Sequence, residues 1–144
     1  MFRFLSVVLF IRAYVCENTM CWTVDHISNQ IMMEADKNLD GIMQMSELMN
    51  ELTVSWGLTS AGLTYHDFIA FWTAQYHDTH STAHAFVANI DVDKNDLINE
   101  ADIAAHLQQF DINPHDGQIQ KEEFNAFLHA VHPDPHNHGA HGCH

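Results

Sequence analysis

Asp36-Lys37-Asn38-Leu39-Asp40-Gly41-Ile42-Met43-Gln44-Met45-Ser46-Glu47 carries side-chain oxygens at positions 1, 3, 5 and 12, glycine at position 6 and an apolar residue at position 8. A hard divalent cation takes about six to eight oxygen ligands. Acids and amides at alternate positions of one short loop can curl inward to supply them. Gly41 permits the sharp turn that a side chain would resist. Glu47, on the first turn of the following helix, can close the shell with two oxygens. The expected ligands are the side chains of Asp36, Asn38, Asp40 and Glu47 with the backbone carbonyl of Ile42. A plain acidic turn before a helix would not need all six positions filled.

Two further stretches repeat this pattern with departures. Asp91-Val92-Asp93-Lys94-Asn95-Asp96-Leu97-Ile98-Asn99-Glu100-Ala101-Asp102 offers Asp91, Asp93, Asn95 and Asp102, with Leu97 giving its carbonyl. Asp96 replaces the glycine, which Asp tolerates better than most residues. Asp102 replaces the closing Glu and is one methylene shorter, so weaker calcium binding or more magnesium character is expected there. The stretch Phe110–Phe124 holds every element of the pattern but one residue too many. An insertion near Pro114 and His115 leaves Asp111, Asn113, Asp116 and Glu123 as ligands, with the carbonyl of Gln118. A fourth unit, Trp56 to Asp67, has Leu63 and Asp67 in place but Trp56, Leu58 and Ala61 where oxygens or the turn glycine would stand. That loop is expected to be structural and metal-free.

The spacing orders these units. Asp36 to Trp56 and Asp91 to Asp111 are both 20 residues, and the two sets are offset by 55. This is a duplication of a two-loop unit. Only residues 48–55 and 103–110 separate the loops within each unit, so one short helix of about 12 Å leaves one loop and enters the next. A straight helix puts its two loops at opposite ends, where they cannot pair. The loops are therefore expected to pair between repeats. Helices are expected over about 23–35 (Ile27, Ile31, Met32 on one face), through the two linkers, from Phe68 to about Tyr76, from a cap at Ser81, and around Phe124, Phe127 and Leu128.

Over about residues 23–131 the chain resembles the EF-hand superfamily, chiefly through 36–47. Its 20-residue loop spacing, apolar start and aromatic helices are similar to small secreted EF-hand proteins of invertebrates, molluscs in particular. The resemblance implies an all-α fold of two tandem EF-hand pairs: four helix–loop–helix units, one or two degenerate, with short shared linking helices. The expected organisation is a signal peptide over 1–16, pair 1 over 23–77, pair 2 over 81–131 and a disordered His-rich tail over 132–144.

The composition bears on location and partners. Residues 1–11 combine one basic residue with an apolar run too short to span a bilayer, as a signal peptide does; an N-terminal amphipathic helix is the alternative. Without residues 1–16, three lysines face 19 acids, which argues against nucleic acid and anionic membranes and favours cations. Three cysteines allow a Cys21–Cys143 or a Cys16–Cys21 bridge.

Thirteen histidines follow residue 16, six of them in the last sixteen residues. With Cys143 they suit Zn2+ or Cu2+; a solvated polar tail is the plainer reading. His77, His80 and His84 are expected to be surface residues. Protonation of the histidines is expected to weaken calcium binding below about pH 6.5.

Three functions compete. The first is a secreted calcium-binding protein acting as an extracellular buffer or matrix component. The second is a calmodulin-like sensor that binds target helices through Met32, Met33, Met43, Met45 and Met49, although several of these fit a core. The third is a transition-metal carrier using the tail. An enzyme is not expected, because the acids are committed to the loops and no nucleophile–base constellation is visible.

Overall fold

The computed structural model describes residues 21–112 and 115–133. The expected signal peptide, Asn113, Cys16, Cys143 and the tail from residue 134 lie outside them. Among the described residues the chain forms six helices: α1 (Val24–Ala35), α2 (Met45–Val54), α3 (Tyr65–Tyr76), α4 (His80–Ile90), α5 (Glu100–Phe110) and α6 (Lys121–Val131). Four short strands, β1 (Ile42–Gln44), β2 (Leu63–Thr64), β3 (Leu97–Ile98) and β4 (Gln118–Gln120), each lead directly or almost directly into a helix. The fold is thus mostly helical, as expected, with two small sheets added. No described helix is long and apolar enough to cross a membrane.

Short polar side chains start the helices by accepting from otherwise unpaired amides. Thr23 Oγ1 accepts from His26 N at 3.2 Å, and Thr64 Oγ1 from Asp67 N at 3.1 Å. The cap expected at Ser81 is instead Thr79, whose Oγ1 accepts from Thr82 N at 3.1 Å. The shift has a local cause. The Asp78 carboxylate accepts from Thr79 N at 2.7 Å, and Thr79 keeps extended backbone, so the helix begins two residues early. The linking helices α2 and α5 also start before residues 48 and 103, at Met45 and Glu100.

The strands join the two halves of the chain. β1 pairs antiparallel with β4, in the register Ile42–Gln120, Met43–Ile119 and Gln44–Gln118. β2 pairs antiparallel with β3, in the register Leu63–Ile98 and Thr64–Leu97. Loops therefore pair between repeats, as the short linking helices require. Gly62 allows the second ladder to close: a Cβ there would stand 3.2 Å from Leu97 Cβ and 3.3 Å from Ile98 O, at φ +93°.

One hydrophobic cluster runs through both halves. At its centre Trp72 lies 4.5 Å from Phe86 and 5.6 Å from Phe68, ring centre to ring centre. Burying a large apolar side chain contributes about 1.5–3 kcal/mol, so this aromatic group is a main source of stability. α1 packs on α6 and α3 on α4. His132, assigned by composition to the head of the tail, is buried: its Nε2 lies 3.0 Å from Asp78 Oδ2, which also accepts from Trp72 Nε1 at 2.8 Å. Cys21 is buried and disulfide-bonded.

Candidate metal centre

Three loops share one hydrogen-bond scheme. In the loop at 36–47, Asp36 accepts from Asp40 N and Gly41 N at 3.2 and 2.8 Å. Glu47 accepts from Lys37 N and Gln44 N at 3.2 and 3.0 Å. In the loop at 91–102, Asp91 accepts from Lys94 N and Asp96 N at 2.8 and 2.9 Å, and Asp102 from Val92 N and Asn99 N, both at 3.0 Å. In the last loop, Asp111 accepts from Asp116 N and Gly117 N at 3.1 and 2.7 Å, and Glu123 from Ile112 N and Gln120 N at 2.9 and 3.1 Å. The first acid thus tethers the middle of its loop, and the closing acid tethers both ends.

The middle positions match as well. Asp40, Asn95 and Asp116 each accept from the amide two residues on, that of Ile42, Leu97 and Gln118, at 2.9, 2.9 and 3.0 Å. Asn38 and Asp93 likewise accept from Asp40 N and Asn95 N, at 2.9 and 3.2 Å. Leu39 and Lys94 adopt φ +60° and +57°, and Gly41 and Asp96 adopt +79° and +64°, so two loops repeat the same left-handed positions. Such a conformation costs a residue with a Cβ roughly 1–2 kcal/mol, less for Asp than for most. In the last loop the first acid reaches Gly117 six residues on, where Asp36 reaches Gly41 at five. The extra residue therefore lies between Asp111 and Gly117, and the tethering acid is Glu123, not Glu122.

The first acids are withdrawn from solvent in all three loops: Asp36, Asp91 and Asp111 are 7%, 0% and 4% exposed. Asp91, Asp93 and Asp102 each place an oxygen within 4.8 Å of the others, and among the described residues no other three His, Cys, Asp or Glu side chains do so. The 91–102 loop has an acid at position 3 where the 36–47 loop has Asn38, and it alone among the described residues gathers three carboxylates this closely. Burial raises the Asp91 carboxyl, but hydrogen bonds from the Tyr65 hydroxyl and the Asp96 amide act against it, and the carboxyl is held below the usual range. Asp93 moves the other way, raised by desolvation and by the adjoining Asp91. The two directions are those of crowded carboxyls that favour a proton or a cation between them.

The loop at 56–67 turns inward. Trp56, Leu58 and Leu63 are buried, and the Trp56 ring lies 4.9 Å from Phe71 and 5.5 Å from Phe68. Trp56 and Leu58 occupy two of the positions that hold oxygens in the other loops, so this loop anchors core. It also supplies a group that the sequence pattern did not single out. Tyr65 OH donates to Asp91 Oδ2 at 2.9 Å, and its own ionisation is pushed up to about 12, first by burial and then by that bond.

Other polar groups sit around the loops. Lys37 Nζ bridges the Glu34 carbonyl and Glu51 Oε2, joining the end of α1 to α2. His115 Nδ1 bonds the Asp111 carbonyl, and that contact with the nearby Asp111 carboxylate raises the imidazole above its ordinary value. His77, His80 and His84 are not drawn into a cluster: His77 packs 5.0 Å from the Trp22 ring and His84 6.0 Å from that of Tyr65. Compared with models of known protein families, with curated proteins and with solved structures, the chain shows no match.

Proposed function

We propose that this protein binds calcium through the loops at 36–47, 91–102 and 111–123, and that it acts outside the cell as a calcium buffer or matrix component. The observation that carries this reading is the shared tethering scheme, in which a buried first acid and a closing acid stand in equivalent places in three loops. The donor set fits a hard cation: the proposed side-chain ligands are carboxylate and amide oxygens, without thiol or thioether. Asp36, Asn38, Asp40 and Glu47 would hold one ion with the Ile42 carbonyl. Asp91, Asp93, Asn95 and Asp102 would hold a second with that of Leu97, and Asp111, Asp116, Glu123 and the Gln118 carbonyl a third. A bound cation would supply the positive charge that this acidic chain lacks.

A buffer fits better than a sensor. Met32 and Met43 are 6% and 0% exposed and Met45 and Met49 pack against the core, leaving Met33, at 72%, as the one broadly exposed member of that group. Extracellular calcium is millimolar, so loops of modest affinity would be filled there. Calorimetric calcium titration of the chain from residue 17 onward tests the reading. Glu47→Gln is expected to remove one site and leave one or two. Absence of binding heat in the unsubstituted protein, supported by unchanged thermal unfolding with calcium, would overturn it.

A further inference from the structure

We infer that Tyr65, from the metal-free loop, is a positioning residue for the cation site of its strand partner. The inference rests on the calcium reading of 91–102 and assigns the 56–67 loop a part in that site. Tyr65 is the first residue of α3, directly after β2, and the β2–β3 ladder brings it against the start of the third loop. Its hydroxyl donates to Asp91 Oδ2, the oxygen that also accepts from Asp96 N; Oδ1 accepts from Lys94 N. The carboxylate is thereby held from two backbone amides and one side chain. Asp36 receives backbone donors alone among its described hydrogen bonds.

The extra donor falls where the loop is weakest. Asp96 occupies a left-handed position that glycine fills in the first and last loops, and Asp102 is shorter than Glu47 and Glu123. Asp91 is fully buried, so its orientation cannot be averaged by solvent. A fixed donor on a ligating carboxylate sets its direction, and loss of such outer partners costs about 10–100-fold in metal affinity. An ordinary packing role for the ring would be kept by phenylalanine, which leaves the 6.0 Å edge contact with His84 in place.

The test is calcium titration of the full chain and of Tyr65→Phe, Asp102→Asn and the double variant, with unfolding followed in chelator. Asp102→Asn is expected to remove one site. Tyr65→Phe is expected to weaken that same site about tenfold, leave the others unchanged, and add nothing in the Asp102→Asn background. Because phenylalanine keeps the ring and its contact with His84, weakening confined to this one site reports the lost hydroxyl rather than lost packing. An unchanged isotherm in Tyr65→Phe, or equal weakening in both backgrounds, would overturn the inference while leaving the calcium reading intact. If Asp102→Asn removes no site, the calcium reading of this loop fails first and the inference with it.

Discussion

Met43 of the first loop lies directly opposite Ile119 of the last, and both side chains are buried, at 0% and 3% exposure. The pair ties together two loops that are far apart in sequence. Ile42 and Gln118, whose carbonyls are proposed ligands, sit in the same ladder, opposite Gln120 and Gln44. An ion that fixes β1 in place therefore also limits where β4 can go. Coupling of this kind is typically about 1–3 kcal/mol. Glu123→Gln should accordingly weaken the 36–47 site at least about fivefold. Asp102→Asn, whose loop contributes β3 to the other ladder, should affect it less. Calorimetry on both variants, with Glu47→Gln marking the site, measures this. Equal effects would show that the ladders do not carry the coupling.

A second prediction concerns the junction of the halves. Asp78 accepts from Trp72 Nε1 at 2.8 Å and from Thr79 N at 2.7 Å, and stands 3.0 Å from His132 Nε2. Its side chain and that of His132 are 0% and 1% exposed. This carboxylate connects the end of α3, the start of α4 and the end of α6. Leaving a buried donor without its acceptor costs about 1–3 kcal/mol. Asp78→Ala should therefore lower the unfolding free energy extrapolated from urea denaturation by at least that amount, at unchanged slope. Asp78→Asn, which keeps an acceptor for the indole, should cost less.

These relationships differ in how far the sequence announced them. The tethering acids follow from spacing alone, because a cation cage needs oxygens at fixed intervals and the 20-residue repeat leaves too short a helix for neighbouring loops to meet. Even the insertion in the last loop was readable, since Gly117 and Glu123 keep their mutual spacing. Tyr65 was not, because it acts across a ladder whose partner is known only once the register is known. His132 was hidden by its setting beside a Pro- and His-rich segment; burial against Asp78 is a tertiary effect that composition does not report. The helix start at Thr79 turned on the same Asp78, whose carboxylate holds the preceding backbone extended.

Charge removal in the cluster at 91–102 should stabilise the metal-free protein and reduce the stabilisation that calcium adds. Asp93 is held above its ordinary value of 3.8 by desolvation, by the adjoining Asp91 and by the Asp102 charge, against the hydrogen bond from the Asn95 backbone amide. A carboxyl raised on folding favours the folded state while protonated. That contribution is present below the ordinary value and is lost as the pH rises through the raised one. At neutral pH Asp93 is then a source of repulsion in the metal-free protein. Asp93→Asn should raise the unfolding temperature in chelator at pH 7, and the gain should shrink as the pH falls through the carboxylate range. With calcium present the same variant should gain less from the ion than the unsubstituted protein does, because a ligand charge has gone. Thermal unfolding across a pH series, with chelator and with calcium, reads both effects. A variant less stable than the unsubstituted protein in chelator would show that the three carboxylates are not in conflict.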